Sequence, residues 1–242
     1  MKNYEGIFGH RGGRYDAAMR AYPRARDQEF SQLIARLGPK AGEVVVDVPA
    51  GGGYLRHYLP EHCDWWGHEP CPSFLGSHIE EPDAGLLPLP WSEGSVDAAV
   101  SLAGVHHTRD KRPFFSALHE VVKPRGRFVL SDVAEGSSVA LFLDEYVGAY
   151  NSTGHEGFYL NEQTLLELEA CGWSVSSYEQ VDFHWIFSDR RAMADFCTQL
   201  FDLVCSLDVT SAAIEHRLGV DCVLGQQVGM RWSLMTVVAQ RS

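Results

Sequence analysis

Two acids and a run of glycines carry most of the chemistry that can be read from this sequence. Val44-Val-Val-Asp-Val-Pro-Ala-Gly-Gly-Gly53 places Asp47 at the end of an apolar run, just ahead of a glycine loop. Glycines between a strand and a helix let a ligand come close to the backbone. Asp64-Trp-Trp-Gly-His-Glu69 then reads as a second strand ending on an acid. A carboxylate there can accept two hydrogen bonds from a ribose diol. Asp47 is poorly placed beside a pyrophosphate and suits a ligand bearing an ammonium and a sulfonium. A dinucleotide loop needs a third glycine for close helix packing, and that position holds Arg56. Asp47 read only as a helix cap, and Glu69 read only as a solvated strand-end acid, are the plainer alternatives.

These residues need a frame. Glu43–Val48, Asp64–Glu69, Val96–Leu102 and Arg127–Val133 read as strands. Helices are expected over 16–37, with Pro23 near one end, over Tyr54–Leu59, 72–81, 110–122, 161–171 and 189–218. Pro124-Arg-Gly126 reads as a turn, Trp173–Phe187 as one or two strands, and Arg231–Gln240 as a final strand. Strands alternating with helices imply βαβ units and a parallel sheet with right-handed crossovers.

In this order the segments resemble class I S-adenosylmethionine-dependent methyltransferases. Asp47-x-Pro-Ala-Gly51-Gly52-Gly53 resembles that family's acidic glycine loop, with Pro49 where the first glycine normally stands. Pro82–Ser101, Val105-His-His107 and Leu118–Leu130 resemble its acid, Leu-Pro segment, fourth strand, His-containing turn, helix and fifth strand. The likeness is good over 40–135 and rests on element order elsewhere. It implies an α/β, Rossmann-like, mostly parallel sheet with flanking helices and a final antiparallel strand. A helical lid is expected at about 189–225, before that strand. One domain over 1–242 is expected: a helical cap over 1–40, a cofactor half over 41–135 and a substrate half over 136–242.

The resemblance also assigns roles. Asp47 would meet the amino end of S-adenosylmethionine, with Pro49, Gly51 and Gly53 around the methionine moiety and Glu69 on the ribose. Asp83 and Ala84 would face the adenine. Ser101 and Leu102 would lie beside the cofactor, and Tyr15, within Arg14-Tyr-Asp16, would fold over it. Only 14 residues separate Glu69 from Asp83, so a shortened helix and strand are expected between them. Tyr146, Tyr150, Phe158 and Tyr159 fall where the family builds its acceptor pocket.

Methyl transfer from a sulfonium requires alignment, exclusion of water and removal of any proton on the acceptor. Histidine serves best as base near neutral pH. His106 and His107 follow the fourth strand, and His155 lies in the loop Asn151-Ser-Thr-Gly-His-Glu-Gly157. His57, His62, Cys63, His68, Cys71 and His78 match no compact metal-ligand spacing, so no metal is expected from them. The six cysteines contain no Cys-x-x-Cys pair and read as free thiols.

The chain has 242 residues, 45% of them hydrophobic and 21% charged, with a net charge of −12. This excludes disorder and argues against nucleic acid or anionic membrane partners. No apolar run is long enough to span a bilayer, and no secretory signal stands at the N-terminus. The leading expectation is a cytoplasmic enzyme resembling the small-molecule branch of quinone and natural-product methyltransferases, acting on a small, partly apolar or aromatic acceptor by O- or C-methylation. A catalytically silent domain working through a partner is the second, and an NAD-dependent oxidoreductase the third.

Overall fold

The computed structural model describes residues 4–74 and 85–242. Asp83 and Ala84 lie outside the described residues.

Two N-terminal helices, α1 (Tyr4–Ala21) and α2 (Asp27–Leu37), replace the single helix expected over 16–37. Pro23 lies between them, because proline lacks the amide a continuous helix needs. Helix α2 buries Phe30, Leu33, Ile34 and Leu37 on one face and ends at Gly38, which takes a left-handed conformation. Strands β1 (Val44–Asp47), β2 (Asp64–Gly67) and β3 (Val96–Leu102) follow, then α3 (Arg112–Val121) and β4 (Val122–Asp132). The expected 124–126 turn is a bulge inside β4. Pairing jumps from Val96–Val122 to Ala98–Arg127, with Arg125 at φ 61°. The Tyr54–Leu59 helix is a 3₁₀ stretch, Tyr54–Tyr58.

The second half carries α4 (Ser138–Leu141), a π-helical stretch (Phe142–Val147), α5 (Gly148–Tyr150) and α6 (Glu162–Ala170). Next come β5 (Trp173–Phe187), α7 (Arg190–Leu200), α8 (Leu207–Arg217), β6 (Val220–Val223) and β7 (Gln227–Arg241).

The strands form one seven-stranded sheet ordered β2-β1-β3-β4-β7-β5, with β6 also on β7. The β2–β1, β1–β3 and β3–β4 ladders are parallel. β7 runs antiparallel to β4, β5 and β6. The remaining strands therefore share one direction and β7 alone is reversed. Because β1 is buried on both faces, its valines divide between two cores. Val45 joins the core made by α2, the π-helical stretch, α7 and α8, and Val46 joins the one made by α3 and α6.

Two consequences position the site. First, β1, β2, β3 and β4 end on one edge of the sheet, bringing Asp47, Glu69, Leu102 and Asp132 to the same side. Second, β4 pairs only with Met235–Gln240 of β7, whereas β5 pairs with β7 from Arg241 to Val228. The β5–β7 ribbon thus overhangs that edge.

Segment 189–225 is more than a lid. Met193, Ala194, Phe196 and Cys197 of α7 are fully buried, and Phe196 packs on Trp185 and Phe187. Only the C-terminal end of α7 reaches the cavities described next.

Candidate active site

Two adjoining cavities open on the carboxyl edge. The first has an empty volume of about 490 Å³ and is lined by Asp47, Pro49, Ala50, Gly51, Leu102 and Gly104, with Tyr15, Arg26, Phe30 and Phe74 closing over it. Gly51 and Gly53 have φ of 53° and 70°, values that glycine tolerates at little cost. Pro49 follows a cis peptide bond and leaves both of these turns intact. Gly104 permits a close approach: a Cβ there would stand 2.5 Å from Pro49 Cγ.

Both acids of the loop are buried. Glu69 Oε2 accepts from the Gly51 amide at 2.8 Å, and Oε1 accepts from the Cys71 amide at 2.9 Å. It therefore braces the loop at the carboxyl edge. Asp47 is 3% exposed and, among the described residues, its side chain accepts a single weak hydrogen bond, from Trp65 Nε1 at 3.3 Å. Burial, reinforced by the nearby Glu69 charge, raises its pKa to about 8. A carboxyl so poorly compensated matches a ligand that brings positive charge. The cavity thus fits the ammonium and sulfonium of S-adenosylmethionine.

The second cavity, about 650 Å³, shares Tyr15, Arg26, Leu102 and Ala103 with the first. Its walls are largely apolar: Leu143, Trp185, Leu200, Phe201, Trp232 and Leu234. Trp185 and Trp232 stack with centroids 4.3 Å apart, and Phe201 lies nearly parallel to both. These rings come from the overhanging ribbon and the end of α7.

Its polar floor is three histidines. His106 and His107 sit on the short turn after β3, and His155 on the loop after α5. Nitrogen atoms of the three rings lie within 4.8 Å of one another. His106 Nδ1 is 2.7 Å from Asp132 Oδ1, while the His106 amide donates to Asp132 Oδ2 at 3.1 Å. Burial pulls the Asp132 pKa upward, but His106 and two backbone amides hold it below the ordinary carboxylate value. His155 Nδ1 is 3.2 Å from Asp144 Oδ1, which also accepts from Tyr159 Oη at 2.6 Å. Burial, helped by the neighbouring imidazoles and Arg11, lowers His107 far below the usual histidine value and His155 to about 4. Both rings are neutral at pH 7.

Residues 46–130 match the family described as Methyltransferase domain. The chain carries an S-adenosylmethionine-dependent methyltransferase domain. No curated protein matches it significantly along the sequence. Solved structures similar to this methyltransferase include the YcgJ protein of Bacillus subtilis, at 12% identity and a TM-score of 0.61, covering 89% of this chain and 98% of that one. The Haloferax volcanii chain in complex with the Trm112 methyltransferase activator has 16% identity and a TM-score of 0.63, covering 98% and 97%. Haemonchus contortus phosphoethanolamine N-methyltransferase 2, bound to phosphomonomethylethanolamine and S-adenosylhomocysteine, has 15% identity and a TM-score of 0.63, covering 100% and 60%. These likenesses establish the fold. The oxidoreductase and silent-domain expectations are not favoured.

Of the residues singled out in the sequence, Asp47, Pro49, Gly51, Leu102 and Tyr15 line the first cavity of the methyltransferase, and Gly53 and Glu69 shape its loop. Ser101 is fully buried, its hydroxyl unpartnered among the described residues, and does not line either cavity. His106, His107 and His155 meet in the second cavity. Tyr146, Tyr150, Phe158 and Tyr159 do not line it. Tyr146 is core, with its hydroxyl 3.0 Å from Cys205 Sγ, while Tyr150 is 40% exposed. The Phe158 amide donates to the His106 carbonyl at 2.7 Å, and Tyr159 steadies Asp144.

Sequence reasoning missed Arg26 and Glu29, a buried pair between the cavities. Arg26 Nε and Nη2 donate to Glu29 at 2.7 Å each, Arg26 also donates to Tyr15 Oη, and Trp185 Nε1 donates to Glu29 Oε2 at 2.7 Å. Their spacing of three on a helix looks like any surface ion pair. Asp132 ends a strand in the way Glu69 does, and that signal was available.

Proposed function

We propose that this methyltransferase methylates a hydroxyl group on a small, partly aromatic acceptor seated in the second cavity, with His106 as the base. The observation that carries the reading is the His106–Asp132 pair at 2.7 Å, with His106 on the floor of a chamber whose walls are largely apolar. Asp132 accepts from Nδ1–H, which leaves Nε2 as the ring's proton acceptor and stabilises the imidazolium once it forms.

Asp47 takes the ammonium end of the cofactor, the Gly51–Gly53 backbone admits its methionine portion, and the Glu69 carboxylate lies on the side of the ribose. Bound S-adenosylmethionine supplies an already activated methyl group. Trp185, Trp232 and Phe201 hold a flat apolar acceptor and exclude water. The two cavities share Leu102 and Ala103, so an acceptor in the second would lie beside a methyl donor held in the first. An acidic surface, with a net charge of −12, agrees with a small molecule rather than a nucleic acid.

The test is a panel of small phenols and aromatic alcohols incubated with enzyme and S-adenosylmethionine, read by mass spectrometry for methyl ether and S-adenosylhomocysteine. His106→Asn should lower kcat by about 10²–10⁴-fold on any accepted alcohol while cofactor affinity stays unchanged. Trp232→Ala should raise KM more than it lowers kcat. Turnover of a hydroxylated acceptor at the wild-type rate by His106→Asn would overturn the assignment.

A further inference from the structure

We infer that His106, His107 and His155 form a binding site for one divalent transition-metal ion, zinc in the first instance, with its open coordination position facing the apolar cavity. The site stands on its own geometry. Only the statement that the open position meets the acceptor hydroxyl rests on the reading above.

Three observations support it. First, among the described residues these three side chains offer nitrogen ligand atoms within 4.8 Å of one another. Tetrahedral zinc with three imidazoles, at about 2.0–2.1 Å each, needs nitrogens about 3.3 Å apart, a closure that small side-chain rotations can supply. The ring centroids lie 4.0, 5.7 and 5.6 Å apart, so the rings surround a common point. Second, two of the three are already oriented as ligands usually are. Asp132 holds Nδ1 of His106, and Asp144 holds Nδ1 of His155. A carboxylate behind a ligating histidine fixes its tautomer and raises its basicity. Third, the surrounding charge accommodates a dication. Arg11 lies on the same cavity and opposes a cation, but Asp202 acts on it, and Asp132 and Asp144 stand behind the rings. The two charges of the ion and the one of Arg11 meet three carboxylates. Arg26 and Glu29 neutralise each other across the chamber.

Three imidazoles with one open position form a donor set suited to zinc and its neighbours, rather than to magnesium or calcium. An acceptor hydroxyl entering from the cavity would bind at that position and become more acidic, as water on zinc does. With the ion bound, His106 Nε2 would be a ligand and the hydroxyl proton would pass to water in the cavity; in the metal-free enzyme the same nitrogen is the base of the reading above.

The experiment is a Co²⁺ titration of chelator-treated, full-length protein, followed by visible absorbance and then by competition with Zn²⁺. Expected are intense tetrahedral bands that saturate at one equivalent and disappear as Zn²⁺ is added. His107→Ala and His155→Ala should each abolish saturable binding. Asp132→Asn should weaken it by about 10–100-fold. Calorimetric binding of S-adenosylmethionine by each variant shows that it is folded. Absence of one-equivalent binding, or equal binding by the wild type and His155→Ala, overturns the proposal. Methyl transfer by metal-free enzyme, with no Co²⁺ binding, refutes the metal site and leaves the proposed function standing. Tetrahedral Co²⁺ binding with no hydroxylated acceptor turned over supports the site and counts against the acceptor reading.

Discussion

Cofactor binding should release a proton, and Asp47 is the source. The free carboxyl, with a pKa of about 8, is mostly protonated at neutral pH. A ligand bearing an ammonium and a sulfonium requires the carboxylate. At pH 6.5 the ligand's own amino group, with a pKa near 7.7–8.0, is almost wholly charged. Asp47 then gives up about one proton per molecule bound, and Kd weakens about tenfold for each pH unit below 7. Calorimetric titration in two buffers of different ionisation enthalpy reads the proton count directly. Asp47→Asn should remove both the buffer dependence and the pH slope and bind the cofactor more weakly.

The same variant should be more stable. The group titrates near 3.8 when unfolded and near 8 when folded. Its contribution is therefore fully favourable only below about 3.8 and is lost as the pH rises toward 8. At pH 7 this amounts to at most roughly 4 kcal/mol, which the neutral amide avoids. Urea denaturation of the free protein at pH 7 measures it. Binding enthalpy independent of buffer, together with an Asp47→Asn protein less stable than wild type, would refute the reasoning.

Three further outcomes follow from the same geometry. Glu69→Gln sets an amide nitrogen against one of the two backbone amides that Glu69 accepts from. It should cost about 1–3 kcal/mol in urea and weaken cofactor binding in parallel. Arg26→Met strands Glu29, which has no exposure, and should cost about 3–5 kcal/mol by the same assay, most of it regained in Arg26→Met/Glu29→Leu. Gly104→Ala meets no backbone penalty at φ −130° but drives a methyl into the rigid ring of Pro49. A loss of about 1–3 kcal/mol in thermal or urea unfolding is expected, with reduced cofactor affinity.

The cofactor half was legible because local signals agreed there. A β-branched run, a glycine loop and a terminal acid recur at Val44–Gly53 and Asp64–Glu69, and the sheet places both acids on one edge. The three histidines were legible as types and as loop positions. Their convergence was not, since 48 residues separate His107 from His155. The aromatic wall stayed hidden for another reason. Trp185 and Trp232 each look like ordinary strand residues, and only the β5–β7 register, with Trp232 opposite Phe183 and Trp185 opposite Met230, brings them together above the sheet edge. Tyr146 shows the reverse error: an aromatic in the expected region that packing and the Cys205 and Thr210 contacts draw into the core. Pro23 divided a helix that periodicity alone would have run together, a reminder that one missing amide outweighs a stripe of apolar residues.

The overhang of β5 and β7 divides the ribbon's mechanical duties unevenly. The lower rungs, from Met235 onward, are committed to β4 and to the sheet that carries the glycine loop. The upper rungs pair only with β5 and the short β6. Exchanging ring for aliphatic at position 185 or 232 would therefore reshape the second cavity and leave the glycine loop undisturbed.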